Sequence, residues 1–219
     1  MKGLFIKDLE LLKGNAKILV AAVLMAVFFM FTSATDVTFV MYYVTMMCGF
    51  LVLSTMSYDD FDNGMAYLMT LPVSRKTYVR EKYVFGLGCV GAGWVVSALL
   101  SLAAKVIRNP AMEWGEWMIS LFGTILAFGL IIAVMIPVQL KFGSENMRIV
   151  LLAVMLGIFA IGYLIYRVCK NFGVDFSGAI RFLDSLHAGV IIAAILVIAA
   201  ILLAVSLKIS ERILENKEY

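Results

Sequence analysis

Residues 58–83 read YDDFDNGMAYLMTLPVSRKTYVREKY, and the residue types gathered there could do chemistry. Asp59, Asp60 and Asp62 place three carboxylates beside a turn signal, Asn63-Gly64, and Arg75, Lys76, Arg80 and Lys82 follow as a basic run. Acids ahead of Asn-Gly could hold calcium. Counted from Asp59, however, the third position is Phe61 and the twelfth is Thr70, so the oxygen and the closing glutamate that an EF-hand needs are missing. Gly86-Leu-Gly88-Cys-Val-Gly91 fits the spacing of a dinucleotide loop, but it lies in an apolar run with no strand before it. It reads instead as small-residue helix packing, with Gly88 and Ala92 four apart. There is no P-loop, no HExxH and no Ser/His arrangement for nucleophilic attack. Cys48, Cys89, Cys169 and the single histidine, His187, show no metal-ligand spacing. The expectation is a chain that is not an enzyme and carries no cofactor or metal of its own.

The elements that position this polar stretch come from composition. Of 219 residues, 63% are hydrophobic and 15% charged, with a mean hydropathy of +0.99. Soluble domains run near 45–50% apolar and about 25% charged. Six runs without Asp, Glu, Lys or Arg occupy residues 18–35, 37–57, 83–104, 118–138, 149–166 and 188–207. Each is about 20 residues long, the length that crosses a bilayer as a helix. None alternates as a barrel strand does. The expected fold class is an all-α integral membrane protein of six transmembrane helices, one domain over residues 1–219. Ahead of the first span, residues 1–17 set Phe5, Ile6, Leu9, Leu12 and Ala16 on one face, with Lys7, Asp8 and Glu10 elsewhere. That pattern predicts an interfacial amphipathic helix lying on the lipid bilayer.

Lysine and arginine placement orients the chain. With the N-terminus inside, thirteen of the 18 basic residues fall on the inner side, so both termini and the 58–82 loop are expected in the cytoplasm. The outer segments carry Pro110, Trp114 and Trp117 as an interfacial anchor, and a short helix at 177–186. The net charge of +3 reports this topology; no nucleic-acid partner is implied.

Two loops, 58–82 and 139–148, then face the cytoplasm. In the first, Pro72 can open a short helix leading into the third span, with Arg75 and Lys76 toward the cytosol. The acidic half, Asp59–Asp62, is expected at the exit of the second span, paired with the basic half. No aspartate, glutamate, lysine or arginine lies inside any run, which disfavours an ion-coupled carrier. A structured loop without an internal energy source suits a lever pushed by a soluble partner. Hydroxyls at Thr38, Thr45, Ser54, Ser97, Ser101, Ser120 and Thr124 either line a path for lipophilic cargo or pack helices.

The order DDFDNG, LPVSRKTYVREKY and IPVQLKFGSENMR, each at the inner end of a span, resembles the permease subunits of ABC-2-type exporters over the whole chain. It is similar to the small six-span bacterial permeases that include the exporter of phenol-soluble modulin peptides. The family's Leu-Pro-[Val/Ile]-Ser-Arg core, with its tyrosine and lysine, falls on Leu71, Pro72, Val73, Ser74, Arg75, Tyr78 and Lys82. Its second-loop pattern falls on Lys141, Phe142, Gly143 and Arg148; Asn146 and Met147 stand where the family carries a lysine.

That resemblance implies a bacterial cytoplasmic-membrane protein paired with a second permease copy, identical or paralogous, each on a cytosolic ABC ATPase subunit that binds ATP and Mg. The ATPase contacts it implies are the first-loop residues just named together with Lys76, and Lys141, Phe142, Gly143 and Glu145 in the second loop. The 58–82 loop would hold the coupling helix. Amphipathic, antimicrobial or toxin peptides lead as cargo, ahead of lipids. A regulatory or peptide-sequestering membrane subunit and an independent channel or carrier remain alternatives.

Overall fold

Among the described residues all regular structure is α-helical, and the computed structural model describes residues 2–31, 37–61, 64–70, 72–108, 113–171 and 188–217. The helices are α1 (Lys2–Gly14), α2 (Ala16–Phe31), α3 (Val37–Asp60), α4 (Gly64–Thr70), α5 (Arg75–Arg108), α6 (Trp114–Asn171) and α7 (Ala188–Glu215). Val37–Asp60, Arg75–Ile107, Trp114–Ser144 and Ala193–Glu215 are each long and apolar enough to span a bilayer. α1 and α2 bend by 59° about Asn15 and supply a fifth if the bent pair is one span. The expected outer helix at 177–186, and Asp36, Pro110 and His187, lie outside the described residues.

α5 is the central helix, packing against α1, α3, α6 and α7. Its 34 residues run about 50 Å at 1.5 Å each, against a hydrocarbon core of about 30 Å. The uncharged part sits between charged ends, and the turns carrying Arg75 to Lys82 are packed by α1, α3 and α7, with Tyr78, Val79, Glu81 and Lys82 buried. Backbones approach closely where α5 meets α3. A Cβ on Gly93 would lie 2.5 Å from Cys48 Cβ, and one on Gly86 would press on Ile132 and Val52. Gly86 and Gly93 are two turns apart and share a face. The sequence expectation had placed this role on Gly88 and Ala92. Both face outward, and a Cβ on Gly88 would meet nothing within 4 Å.

Several polar side chains inside the bundle are bonded between helices or to their own. Thr45 pairs with Ser97 across α3 and α5, and Trp94 Nε1 donates to the Leu121 carbonyl of α6 at 2.8 Å. Ser101 and Thr124 return to carbonyls of their own helices. These hydroxyls therefore serve packing. Pro137 has no N–H, which leaves the Ala133 carbonyl one turn back without a helical donor; Ser206 of α7 supplies it. At the other end, Trp114 and Trp117 meet edge to face and Lys105 lies over the Trp114 ring at 3.8 Å.

Two sequence expectations change here. The 139–148 segment was expected to be a loop. Two helical stretches of α6 instead meet inside it across a kink at Gly143 (φ 75, ψ 170), a conformation essentially restricted to glycine. The outer apolar face of α1 is also divided. Phe5 and Leu12 pack toward the core, Phe5 edge-on to Phe85, while Ile6 and Leu9 stay exposed.

Candidate functional site

α4 is the short helix that the sequence reading missed. Gly64 opens it directly against the Asp59 carbonyl, where a Cβ would come within 2.9 Å, so the close turn needs glycine. Met65 and Leu68 turn inward to the core cluster, while Tyr67 is 72% exposed and Phe61, at the end of α3, 71%. The chain then passes Pro72 into α5, whose N-cap is Ser74: its hydroxyl accepts from the Thr77 amide at 3.1 Å. The serine, two residues on from Pro72, caps the helix.

Behind α4 sits a buried ion cluster joining α1, α3 and α5. Lys82 Nζ donates to Asp8 Oδ2 at 2.5 Å and to Thr55 Oγ1 at 3.3 Å, and forms an ion pair with Asp59 Oδ2 at 2.9 Å. Lys7 pairs with Asp59 and lies 3.3 Å from Asp8. Tyr78 donates its hydroxyl proton to Asp59 Oδ2 at 3.0 Å. Two lysines balance two aspartates, which is how charges persist in a dry setting. Glu81 is buried next to this balanced set and its carboxylate has no hydrogen-bond partner.

The neighbouring acid works in another direction. Asp60 Oδ2 accepts from the Ser144 amide at 2.7 Å and from the Ser144 hydroxyl at 3.1 Å. It thus caps the helix that restarts after Gly143 and ties the end of α3 to the middle of α6. Gln139 adds a second tie, donating to the Leu53 carbonyl and to Ser57.

The end of α7 straps the basic half. Arg75 donates to the carbonyls of Leu214 and Glu215, Lys76 pairs with Glu215, and Arg80 with Glu211. Lys217 reaches across to the Leu140 carbonyl at 3.2 Å. A guanidinium and an ammonium on the last carbonyls of helices also complement the helix dipole.

The twelve residues named for an ATPase contact therefore separate. Tyr78 and Lys82 are wholly buried in the ion cluster; Ser74 caps α5; Arg75 and Lys76 are engaged by α7. Gly143 is the break in α6, and Lys141 and Phe142 are exposed just before it. Pro72 is exposed and Val73 half-buried against the core. Leu71 lies outside the described residues, as do the side chains of Glu145 and Arg148.

Sequence reasoning passed over Asp8, Thr55, Glu211 and Glu215. Asp8 carried a signal. Leu4, Asp8 and Leu12 recur at i, i+4 and i+8, so a lone carboxylate occupies the buried stripe of α1. Asp59, left unexplained beyond a pairing with the basic half, does pair with Lys82.

The family model described as ABC-2 family transporter protein matches residues 3–215. No curated protein and no solved structure matches the chain.

Proposed function

The chain belongs to the ABC-2 family of transporter proteins, as a multi-pass membrane protein of the permease kind, and from that premise we propose that it is the membrane subunit of an ATP-driven exporter. A separate cytosolic ATPase subunit binds ATP and Mg and docks on the charged end of the bundle. In this reading the helix after Gly143 supplies the fifth of six spans, both termini are cytoplasmic, and two permease copies, identical or paralogous, face one another in a bacterial cytoplasmic membrane. The cargo class is amphipathic peptide, as in the phenol-soluble modulin exporters that the sequence resembles.

The observation that carries the reading is α4 and its bracing. Phe61 and Tyr67 present exposed aromatic rings, the side chains favoured as anchors at the centre of protein interfaces. Beneath them Asp59 connects to α1 and α5, and Asp60 to α6. A push on α4 thus reaches four helices through charge-assisted hydrogen bonds instead of bending a free loop. The coupling helix in this reading is α4, and Tyr78 and Lys82 act behind it as positioning residues.

Co-purification of the full chain with its cognate ATPase tests the reading. A Phe61→Ala/Tyr67→Ala pair is expected to weaken ATPase binding at least tenfold while the permease keeps its thermal stability. Unchanged ATPase binding and unchanged export in that pair would overturn the assignment of α4.

A further inference from the structure

The end of the bundle away from the ion cluster holds two buried donors that lack acceptors. Lys105 lies in the last turn of α5 and Trp117 in the first turn of α6, and they are 5% and 8% exposed. Among the described residues neither Lys105 Nζ nor Trp117 Nε1 has a hydrogen-bond partner. Both border Trp114: Lys105 Nζ stands 3.8 Å from the centre of that ring, whose edge-to-face contact with Trp117 spans 6.1 Å. A ring face attracts an ammonium but offers no lone pair. An ammonium and an indole N–H can only donate, so the same group is missing at both, an acceptor.

The contrast is with the opposite end, where buried Lys82 is met by two aspartates. Burying a cation and an N–H without acceptors is costly, and such groups mark a place for a ligand, ion or water. Glu113 and Glu116 flank Trp114, but they are exposed and leave Lys105 unpaired. Depth narrows the ligand. From Lys82 to Lys105 α5 rises about 35 Å with no charged residue between them, against a hydrocarbon core of about 30 Å. Lys105 and the two tryptophans therefore stand at headgroup level. Trp114, Met118 and Phe122 follow at i, i+4 and i+8, all exposed, so an apolar stripe leads from the two donors into the bilayer.

We infer that Lys105 and Trp117 hold the phosphate of one zwitterionic phospholipid, with an acyl chain along Trp114, Met118 and Phe122. A phosphate oxygen gives the ammonium a charge-assisted bond and gives the indole N–H its acceptor. The headgroup ammonium falls on the side of Glu113 and Glu116, whose charges disfavour a lipid of net negative charge. A diacylglycerol covers the stripe and leaves both donors unmet. A free phosphate meets the donors, but brings no chain for the stripe and no cation for the glutamates. The site selects the molecule carrying all three parts.

The experiment is native mass spectrometry of the full chain released from maltoside micelles doped with phosphatidylethanolamine, phosphatidylglycerol or diacylglycerol. Thermal unfolding is followed in parallel across a titration of each lipid and of inorganic phosphate. Phosphatidylethanolamine is expected to remain bound and raise the melting temperature. Phosphatidylglycerol is expected to bind at least tenfold more weakly, and diacylglycerol and phosphate to have no effect. Lys105→Met keeps the length of the side chain without its charge. It is expected to weaken phosphatidylethanolamine binding at least tenfold and, because the unmet ammonium is gone, to raise the lipid-free melting temperature. Trp117→Phe keeps a ring without the N–H and is expected to show a smaller loss of binding. Glu113→Gln/Glu116→Gln, at exposed side chains, is expected to bring phosphatidylglycerol to the affinity of phosphatidylethanolamine. A Lys2→Gln/Lys17→Gln control removes charge elsewhere and is expected to change nothing. Diacylglycerol retained as well as phosphatidylethanolamine, a phosphate effect matching that of the lipid, or wild-type lipid binding by Lys105→Met would each overturn the site. Equal retention of the two phospholipids by the wild type would overturn the zwitterionic ligand. None of these readouts depends on an ATPase partner, so they stand or fall apart from the transport reading.

Discussion

Lys82 of α5 and Asp8 of α1 stand 2.5 Å apart with neither side chain exposed. Asp8 belongs to the one helix expected to lie on the membrane surface, and Lys82 to the helix at the centre of the bundle. A buried pair of this kind is weak evidence for stability by itself, because desolvation offsets much of the attraction. Breaking it from one side is a different matter.

Lys82→Met leaves Asp8 and Asp59 to share the one ammonium of Lys7, with Tyr78 still donating to Asp59. The expected destabilisation is about 3–5 kcal/mol. Asp8→Leu combined with Lys82→Met removes both charges and keeps the Lys7–Asp59 pair, so the double variant is expected to be more stable than Lys82→Met. Thermal unfolding of the three purified chains gives the comparison. A double variant that falls by the sum of its parts would show that the two residues do not act together.

Gly143 and Gly88 predict opposite signs for the same substitution. At φ 75 and ψ 170, alanine in place of Gly143 costs about 1–3 kcal/mol in backbone strain. Its Cβ would also lie 3.1 Å from Asp60 Oδ2, against the contact that caps Ser144. Gly88 sits inside a regular helix with open space around it, so alanine there is expected to stabilise by up to about 1 kcal/mol. Melting temperatures in one detergent should move down for Gly143→Ala and up for Gly88→Ala.

The two glycines also show what the sequence made legible. Hydrophobic runs of bilayer length announced an all-helical membrane chain, because burial in lipid demands unbroken apolar stretches, but not the helix ends: α5 begins at Arg75 ahead of its run, α7 continues to Glu215 beyond its own, and two runs fall within α6. The break at Gly143 was legible only as the polar interruption at 139–148; that it is confined to one glycine between two helices leaves no trace in a hydropathy pattern. α4 was hidden for another reason. Asn63-Gly64 and Leu71-Pro72 are turn signals, and the six residues between them are too few to display a helical period. Charge pairing was partly legible. That Asp59 would meet the basic half followed from their shared loop, but Asp8, Glu211 and Glu215 arrive from distant parts of the chain. Their roles exist only once α1 and α7 have packed against α5. For the same reason Arg75, Lys76 and Lys82 read as exposed charge, although packing gives each an intramolecular partner.

Close packing of α3 on α5 makes Gly93 intolerant of volume. Leucine there must displace Cys48, whose Cβ would lie 2.5 Å from even the first added carbon. Overpacking of this kind costs about 1–3 kcal/mol. Cys48→Gly in the same chain removes the opposing atoms and is expected to restore part of the loss. A Gly93→Leu variant that melts with the wild type would show that the two helices are not in contact at this level.

Glu81 gives the opposite expectation to Lys82. It is buried beside a cluster in which two lysines already match two aspartates, and its carboxylate has no hydrogen-bond partner. A buried polar group left unpaired costs about 1–3 kcal/mol, and more when charged. Methionine keeps the length and flexibility of the side chain and removes that cost. Glu81→Met is therefore expected to raise the melting temperature of the isolated permease, whereas Asp59→Leu, which strips Lys7, Lys82 and Tyr78 of a shared acceptor, lowers it. Should Glu81→Met lower the melting temperature as Asp59→Leu does, the carboxylate is a working member of the cluster, and the balance of two lysines against two aspartates is wrong.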